Sequence, residues 1–414
     1  MNKPAHVRSS DLQGLGRLAV DATAGVTDLV EALHRNIARA SAPIGTVTPG
    51  STKGITGLVY RSIRGVTRMV GSGLDLLLGQ LAPMLAHKIG NPSTTSALSS
   101  NEREAILAAL NGVLGDYLLA SNNPLAIPMR FRRDGRALVL SKAKLATAIP
   151  DCTGKIVVLV HGLCMNDRQW TTHAGMDIGT ALQQDMGFTP VYLHYNSGLH
   201  ISTNGKAFAA LLERLVTQWP QPVEELVIVA HSMGGLLTRS ACNQIDARAG
   251  KKSCHWRAAL RKIIFLGTPR LGAPLERGGN WIDIILGVSP YTAPFARLGK
   301  VRSAGITDLR HGNLRDADWL GRDRFARSPA RPQPMPLPER VKCYMVAATK
   351  SLDTKNEGGD GLVPMASALG KNQDATLSLS VPKTRQYIVR GCNHFDLLGD
   401  AKVYTKLRRW LSVP

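Results

Sequence analysis

The chain has 414 residues, of which 44% are hydrophobic and 20% charged, the balance of a globular protein with a large core. Its formal net charge of +21 either favours anionic partners such as phospholipid head groups, nucleic acid or acidic polymers, or is a dispersed positive surface that aids solubility. The sequence has no zinc-ligand spacing, no RNA-binding aromatic motif and no Gly-Lys-Ser/Thr phosphate loop, which disfavours nucleic acid as a partner. No apolar run reaches the roughly 18 residues that a membrane-spanning helix needs.

The cysteine pattern and the N-terminal sequence indicate the cellular compartment in which we expect the protein. The six cysteines show no C-x-x-C spacing, which is typical of scattered small apolar residues in a reducing compartment. Cys242 and Cys254 form the pair to test first for a disulfide. The first residues contain no apolar signal core. These features predict a cytoplasmic protein, with peripheral contact at a membrane left open, and they leave the oligomeric state undefined.

Residues 1–123 are predicted to form a helical region rich in Gly, Ala and Leu. Between residues 55 and 70, apolar side chains share one face of a helical wheel, and Arg61, Arg64 and Arg68 lie on the opposite face. Such a basic amphipathic helix either lies on an anionic membrane or packs its apolar face against neighbouring helices. Its glycines lower the intrinsic helicity and favour packing, but both alternatives stay open.

Strands and helices alternate from Pro124 onwards. Met129–Arg132 and Arg136–Leu140 are typical of a hairpin around an Asp-Gly turn. The continuous apolar run Ile156–Val160 is typical of a strand buried on both faces of a parallel sheet. Further predicted strands cover residues 191–195, 226–230, 263–266, 341–346 and 387–389. With helical segments between several of them, the order predicts an α/β fold with a mostly parallel, doubly wound sheet.

The segment 272–340 breaks this alternation. It holds an apolar stretch, an arginine-rich stretch and a proline-rich return, which predicts a cap inserted over the site. Trp281, Ile285 and Leu286 in this segment either line an apolar acyl pocket or form the cap's own small core. The predicted division is an N-terminal helical region over 1–123, a first core segment over 124–271, the cap over 272–340 and a second core segment over 341–414.

The most informative stretch of the chain surrounds Ser232. A run of β-branched residues ends at this serine and a helix-like segment follows at once, which is typical of a nucleophile elbow of the G-x-S-x-G type. The sharp turn requires small residues two positions before and after the serine. Gly234 meets this requirement, and Ala230 carries one methyl group more than the usual glycine. The sequence therefore predicts Ser232 as a nucleophile.

A serine nucleophile needs a base to take its proton and an acid to orient that base. His394 follows the last predicted strand, in a loop from which its ring can reach Ser232, and is the predicted base. Asp360, in a glycine-rich turn downstream of the strand 341–346, is the predicted acid. Asp353 lies nearer the end of that strand and is the alternative.

Two backbone N–H groups are expected to stabilise the oxyanion that forms during the reaction. One is predicted at Met233, directly after the nucleophile, where the helix dipole also favours negative charge. The other is predicted in the loop after the strand 156–160, with Leu163 as the first choice and Cys164 as the second. His161 begins that loop and is expected to brace it rather than to react.

Several of these motifs resemble those of the α/β-hydrolase superfamily, specifically its lipase- and esterase-like branch. They are His161-Gly162, the elbow at Ser232, Leu266-Gly267-Thr268-Pro269, Gly359-Asp360-Gly361-Leu362-Val363-Pro364 and Asn393-His394-Phe395-Asp396. The resemblance covers residues 124–414 and implies a Ser-Asp-His hydrolase that works through an acyl-enzyme, with no cofactor and no metal. Arg270 departs from the pattern, because lipase-like relatives often carry His after Gly-Thr-Pro.

We therefore expect a carboxylic-ester hydrolase that acts on a small-molecule or lipid ester. A thioesterase, an amidase or a phospholipase uses the same triad, and the acyl pocket that separates them cannot be read from the sequence. A membrane-surface or scaffold protein that keeps the hydrolase fold without turnover is the alternative from another class.

Overall fold

The computed structural model describes residues 10–21 except 12 and 15, together with 100–170, 177–246, 254–269, 303–322, 334–353 and 358–413 except 373. The amphipathic segment 55–70, Arg270, and the predicted cap residues Trp281, Ile285 and Leu286 lie outside the described residues. The chain divides into two compact units, one of residues 1–103 and 118–126, the other of residues 104–117 and 127–414.

In the first unit, the described residues between 10 and 21 are helical. The Arg103 guanidinium donates hydrogen bonds of 2.6 and 2.7 Å to the two carboxylate oxygens of Asp11, a bidentate pair. Asn123 Nδ2 donates to the Gly14 carbonyl at 3.0 Å. These contacts join segments of the unit that are about one hundred positions apart in the chain.

The second unit is built on one eight-stranded sheet. Its strands are β1 (Arg130–Arg133), β2 (Arg136–Ala137), β3 (Lys155–Val160), β4 (Thr189–His194), β5 (Glu225–His231), β6 (Leu260–Leu266), β7 (Lys342–Thr349) and β8 (Gln386–Arg390). The strand order is β2-β1-β4-β3-β5-β6-β7-β8. The hairpin strands β1 and β2 are antiparallel to their neighbours, and β4, β3, β5, β6, β7 and β8 run parallel. The predicted doubly wound, mostly parallel sheet is confirmed.

Helices connect most of these strands. The α-helices are α1 (Ser100–Ala120), α2 (Lys142–Ala148), α3 (Ile178–Met186), α4 (Ile201–Thr217), α5 (Met233–Asp246), α6 (His255–Ala259), α7 (Ala304–His311), α8 (Asp316–Trp319), α9 (Met365–Ala368) and α10 (Ala401–Leu411). Short 3-10 turns cover Ala375–Leu377, Lys383–Arg385 and Asp396–Leu398. The sequence pattern predicted helices over residues 203–219 and 236–248, and α4 and α5 begin two and three residues earlier, at Ile201 and Met233.

The predicted hairpin is confirmed, and its turn chemistry explains why it forms. Asp134 and Gly135 both have positive φ, at 51° and 72°. A two-residue type I′ turn requires this at both positions, and Asp-Gly is among the few residue pairs that tolerate it well. Arg133 and Arg136 pair directly across the turn.

Burial explains the continuous apolar pattern of β3. Ile156, Val158 and Val160 belong to the core on one face of the sheet, and Val157 and Leu159 belong to the core on the other face. All five side chains are fully buried. A central parallel strand covered by helices on both faces has no solvent side, so the polar alternation of a half-exposed strand is absent.

The described part of the inserted segment is tied to the core at several points. Gly305 N donates to the Gly198 carbonyl at 2.9 Å. Ser240 Oγ donates to the Leu314 carbonyl at 2.7 Å. Further along, Arg239 donates to the Met335 carbonyl, also at 2.7 Å. The insertion is thus fixed to the loop after β4 and to α5, the helix that begins directly after Ser232.

Two further expectations concern the chain as a whole. All six cysteines are described, and none of them forms a disulfide, including Cys242 and Cys254. In the described ranges, no helix is both long enough and apolar enough to cross a bilayer.

Candidate active site

Ser232 lies on a strained turn between a strand and a helix. β5 ends at His231, α5 begins at Met233, and Ser232 between them has φ of 54°. A left-handed conformation at a residue other than glycine costs about 1–3 kcal/mol and persists only where the surroundings enforce it. Part of that enforcement is a hydrogen bond of 2.8 Å from Ser232 N to the Leu266 carbonyl at the end of β6.

The two small residues on either side of Ser232, Ala230 and Gly234, lie in different environments. An ideal Cβ at Gly234 would lie 2.5 Å from the carbonyl oxygens of both Val160 and His161, so the start of α5 can approach β3 only with glycine there. Ala230 is fully buried in β5, in register with Val160 on one side and Phe265 on the other. The extra methyl group of Ala230 therefore has a place in the core.

The structure brings Asp360 and His394 together. Asp360 Oδ2 lies 2.7 Å from His394 Nδ1, and the two side chains are 1% and 3% exposed. The other carboxylate oxygen accepts the N–H groups of Leu362 and Val363 at 2.8 and 2.7 Å. A carboxylate fixed in this way orients the imidazole and favours the proton on Nδ1, which leaves Nε2 as a proton acceptor. Asp353 is exposed and does not occupy this position.

His394 and Ser232 lie at the same edge of the sheet. His231 Nε2 is 3.0 Å from the His394 carbonyl, so the residue before the serine holds the histidine's backbone. Gly267 follows β6 directly, and an ideal Cβ there would lie 3.1 Å from His394 Nδ1. Since Ser232 also bonds to the end of β6, both residues lie at the carboxyl ends of the parallel strands, where α/β sheets place their sites.

The loop after β3 packs directly against the serine. An ideal Cβ at Gly162 would lie 3.0 Å from Ser232 Cβ, a contact so close that the serine or the loop would have to shift to accept it. Cys164 N–H donates to Ser197 Oγ at 3.1 Å. Leu163 N–H has no acceptor among the described residues, so of the two alternatives it is the group left available. Met233 N–H belongs to the first turn of α5, where backbone N–H groups lack helical acceptors.

Two buried histidines beside the serine are held neutral. Burial lowers the pKa of His161 to about 4. Burial, reinforced by the neighbouring His394, lowers the pKa of His231 well below its usual value. Each neutral ring has one N–H, and a carbonyl oxygen can only accept. His161 Nδ1 therefore donates to the Gly162 carbonyl at 2.9 Å, and His231 Nε2 donates to the His394 carbonyl.

One cluster in the described part of the chain has metal-ligand chemistry. Glu104, Asp167 and His194 are buried, with ligand atoms within 4.8 Å of one another. Arg132 donates to the two carboxylates at 2.7 and 3.0 Å, so a guanidinium already balances their charge. Burial raises the pKa of Asp167, and the neighbouring Arg132 opposes that shift. This arrangement fits an internal ion-pair network better than a metal centre.

Three residues near the site have contacts that the sequence analysis did not foresee. Tyr195 and Ser197, directly after β4, bond to the loop that follows β3. His231 bonds to the backbone of His394. A polar run directly after a buried strand, and a histidine directly before the nucleophile, are the sequence signals that could have identified them.

Strand order, the elbow after β5, and an acid and a histidine after β7 and β8 define the α/β-hydrolase fold. The family model of the PGAP1-like alpha/beta domain matches residues 151–335, a range that begins just before β3 and ends within the insertion. The chain therefore has the α/β-hydrolase fold that its motifs predicted, and residues 151–335 are similar to the PGAP1-like domain of that fold.

Solved structures similar to the chain include two lipases and an esterase. The mature lipase of Bacillus licheniformis is 15% identical, with a TM-score of 0.40 over 63% of this chain and 92% of that chain. Aspergillus fumigatus lipase B is 12% identical, with a TM-score of 0.39 over 65% and 57%. A Pyrococcus furiosus esterase is 10% identical, with a TM-score of 0.36 over 63% and 80%. No curated protein matches the chain by sequence.

Proposed function

We propose that the protein is a serine hydrolase that cleaves carboxylic esters through an acyl-enzyme. Ser232 is the nucleophile, His394 the general base and Asp360 the residue that orients it. The observation that carries this proposal is the 2.7 Å contact between Asp360 Oδ2 and His394 Nδ1, buried at the sheet edge where Ser232 stands on its strained turn. A structural ion pair between Asp360 and His394 does not require a serine at the same end of the sheet, whereas a catalytic triad does.

In the proposed reaction, His394 Nε2 takes the hydroxyl proton as Ser232 Oγ attacks the ester carbonyl. The carbonyl oxygen becomes an oxyanion, and the N–H groups of Met233 and Leu163 stabilise it. His394 then gives its proton to the departing alcohol, which leaves the acyl group on Ser232. A water molecule, activated by the same histidine, releases the acid and restores the serine.

The direct test is Ser232→Ala, assayed with a p-nitrophenyl ester. We expect a loss of at least about 10³-fold in kcat with the thermal unfolding temperature preserved, because the side chain is small and its role is chemical. A fluorophosphonate probe should label the wild type and leave the variant unlabelled. Unchanged turnover in the variant would refute the assignment, and absence of labelling in the wild type would favour a silent scaffold.

The leaving atom of the substrate is a separate question. Thioesters, amides and phospholipids suit the same triad, and the predicted pocket residues Trp281, Ile285 and Leu286 lie outside the described residues. A substrate panel with matched acyl chains on oxygen, sulfur and nitrogen leaving groups decides among them. We expect the highest kcat/KM on the oxygen esters. A preference for thioester or amide would keep the triad and change the substrate class.

A further inference from the structure

The oxyanion loop contains a peptide whose direction is set by a side chain. The carbonyl of Gly162 and the N–H of Leu163 belong to the same peptide group. In a trans peptide these two bonds point in opposite directions, so fixing one fixes the other. His161 Nδ1 donates to this carbonyl at 2.9 Å, and His161 Nε2 has no hydrogen-bond partner in the described part of the chain.

The His161 ring is itself held from the other side. It stacks on the Tyr195 ring with centroids 4.4 Å apart and planes at 22°. The Tyr195 hydroxyl donates to the His161 carbonyl at 2.9 Å. Both side chains are fully buried or nearly so, which excludes water as a competing partner. The tyrosine thus fixes the ring and the backbone of His161 together.

The next peptide along the loop is fixed as well. Cys164 has φ of 58°, the left-handed conformation that residues other than glycine seldom adopt. Its N–H is bound by Ser197 Oγ at 3.1 Å. The peptide groups before and after Gly162–Leu163 are therefore each tied to the segment after β4. The peptide between them has its carbonyl bound to His161 and its N–H unbound.

We propose that His161, braced by Tyr195, is the positioning residue that aims the Leu163 N–H at the oxyanion formed on Ser232. This inference rests on the proposed acyl-enzyme chemistry and adds to it a side chain that touches neither substrate nor nucleophile. Without the bond from His161, the peptide can rotate, and the N–H loses the fixed direction on which oxyanion stabilisation depends.

Two substitutions of His161 separate the contribution of its hydrogen-bond donor from that of its aromatic ring. His161→Phe keeps an aromatic ring against Tyr195 and removes the donor. His161→Asn removes the ring but places an amide N–H near the position of Nδ1. We expect His161→Phe to lower kcat by about 10- to 100-fold with KM within about twofold, since a misplaced donor weakens the transition state alone. His161→Asn should recover most of this loss.

Tyr192 in β4 provides a matched control for Tyr195, which follows that strand directly. Tyr195→Phe removes the bond to the His161 carbonyl. Tyr192→Phe removes a comparable buried hydroxyl, which bonds to Asp177 at the start of α3 instead. We expect kcat per active site to fall about three- to tenfold in Tyr195→Phe and to stay unchanged in Tyr192→Phe, although both lose thermal stability. Active sites are counted by fluorophosphonate titration.

The outcomes are distinct. The inference is overturned if His161→Phe has the same kcat as the wild type. It is also overturned if His161→Asn is more impaired than His161→Phe, because activity would then depend on the ring and not on the hydrogen-bond donor. A wild type that labels with fluorophosphonate but prefers another leaving group changes the proposed substrate only, and the variants are then ranked by their rate of labelling. A wild type that neither hydrolyses nor labels contradicts both the proposed function and the inference.

Discussion

The left-handed backbone conformation of Ser232 suits its proposed role as a nucleophile. The positive φ places the side chain at the tip of the turn, and the close approach of Gly234 to the carbonyls of Val160 and His161 holds the turn in place. The strain is offset by the packing around the turn together with the hydrogen bond from Ser232 N to the Leu266 carbonyl. The neighbouring residues thus specify a conformation that serine by itself disfavours.

Asp360 and Asp353 provide a matched pair for testing the acid. We expect Asp360→Asn to lower kcat by about 10³-fold or more, because the amide favours the wrong imidazole tautomer. Asp353→Asn removes the same charge from an exposed position and should leave kcat unchanged. Steady-state kinetics on the ester substrate measure both. Equal effects of the two substitutions would contradict the orienting role of Asp360.

The two small residues of the elbow should differ in their response to one methyl group. Gly234→Ala places a Cβ 2.5 Å from two carbonyl oxygens and should reduce the free energy of unfolding by about 2–3 kcal/mol. Ala230→Gly restores the more usual residue, and we expect a loss of about 1 kcal/mol from added strand flexibility, with kcat retained. Urea unfolding and ester turnover measure these effects. Loss of turnover in Ala230→Gly would show that the methyl group matters to the site.

At the scale of elements, one buried histidine begins the loop after β3 and another is the last residue of β5. The pKa of His161 is lowered to about 4, and that of His231 is also lowered. An unfolded histidine binds its proton below about pH 6.5. Between these pH values the unfolded state binds more protons than the folded state, so stability falls as the pH falls.

This linkage predicts that the free energy of unfolding drops between pH 7.5 and pH 5.0 by about 2 kcal/mol from His161, and that His231 adds a further drop in the same direction. His161→Phe should reduce the drop by about 2 kcal/mol, because phenylalanine takes up no proton. Urea unfolding at both pH values is the measurement. If the variant shows the same drop as the wild type, His161 is not held neutral in the fold.

The sequence predicted the elements better than their arrangement. The run Ile156–Val160 and the Asp-Gly turn at 134–135 indicated a buried strand and a hairpin because both signals depend only on local sterics and burial. The placement of β4 between β1 and β3 was not predicted, since it depends on pairing between distant segments. The contacts of Tyr195 and Ser197 were not predicted for the same reason, because each joins two segments that are far apart in the chain.

For the whole molecule, the net charge of +21 stands apart from the site chemistry. We propose that this charge, including the basic segment 55–70, brings the protein to anionic membrane surfaces, where lipid esters are found. The support is the sequence pattern, with apolar residues on one helical face and arginines opposite. The alternative is that this segment packs within its own unit.

Vesicle co-sedimentation tests this proposal independently of turnover. We expect binding to vesicles of phosphatidylserine and phosphatidylcholine that falls by about tenfold when salt rises from about 0.1 to 0.5 M, because screening weakens exposed charges. Replacing Arg61, Arg64 and Arg68 by Gln should reduce binding. Replacing Lys142, Lys144 and Arg261 removes the same charge elsewhere and serves as the control. Equal loss in both variants would assign binding to net charge rather than to the segment.

The sequence by itself determined the alternation of strands and helices, the turn at Ser232 and the small residues around it, because these follow from local backbone sterics and from burial on both faces of a sheet. Only the tertiary structure decided that Asp360 rather than Asp353 meets His394, and that Cys164 N–H is bound while Leu163 N–H is not. These outcomes depend on contacts between segments tens to hundreds of positions apart, such as the bond from His231 to His394. Sheet register and loop packing fix such contacts, and no local pattern encodes them.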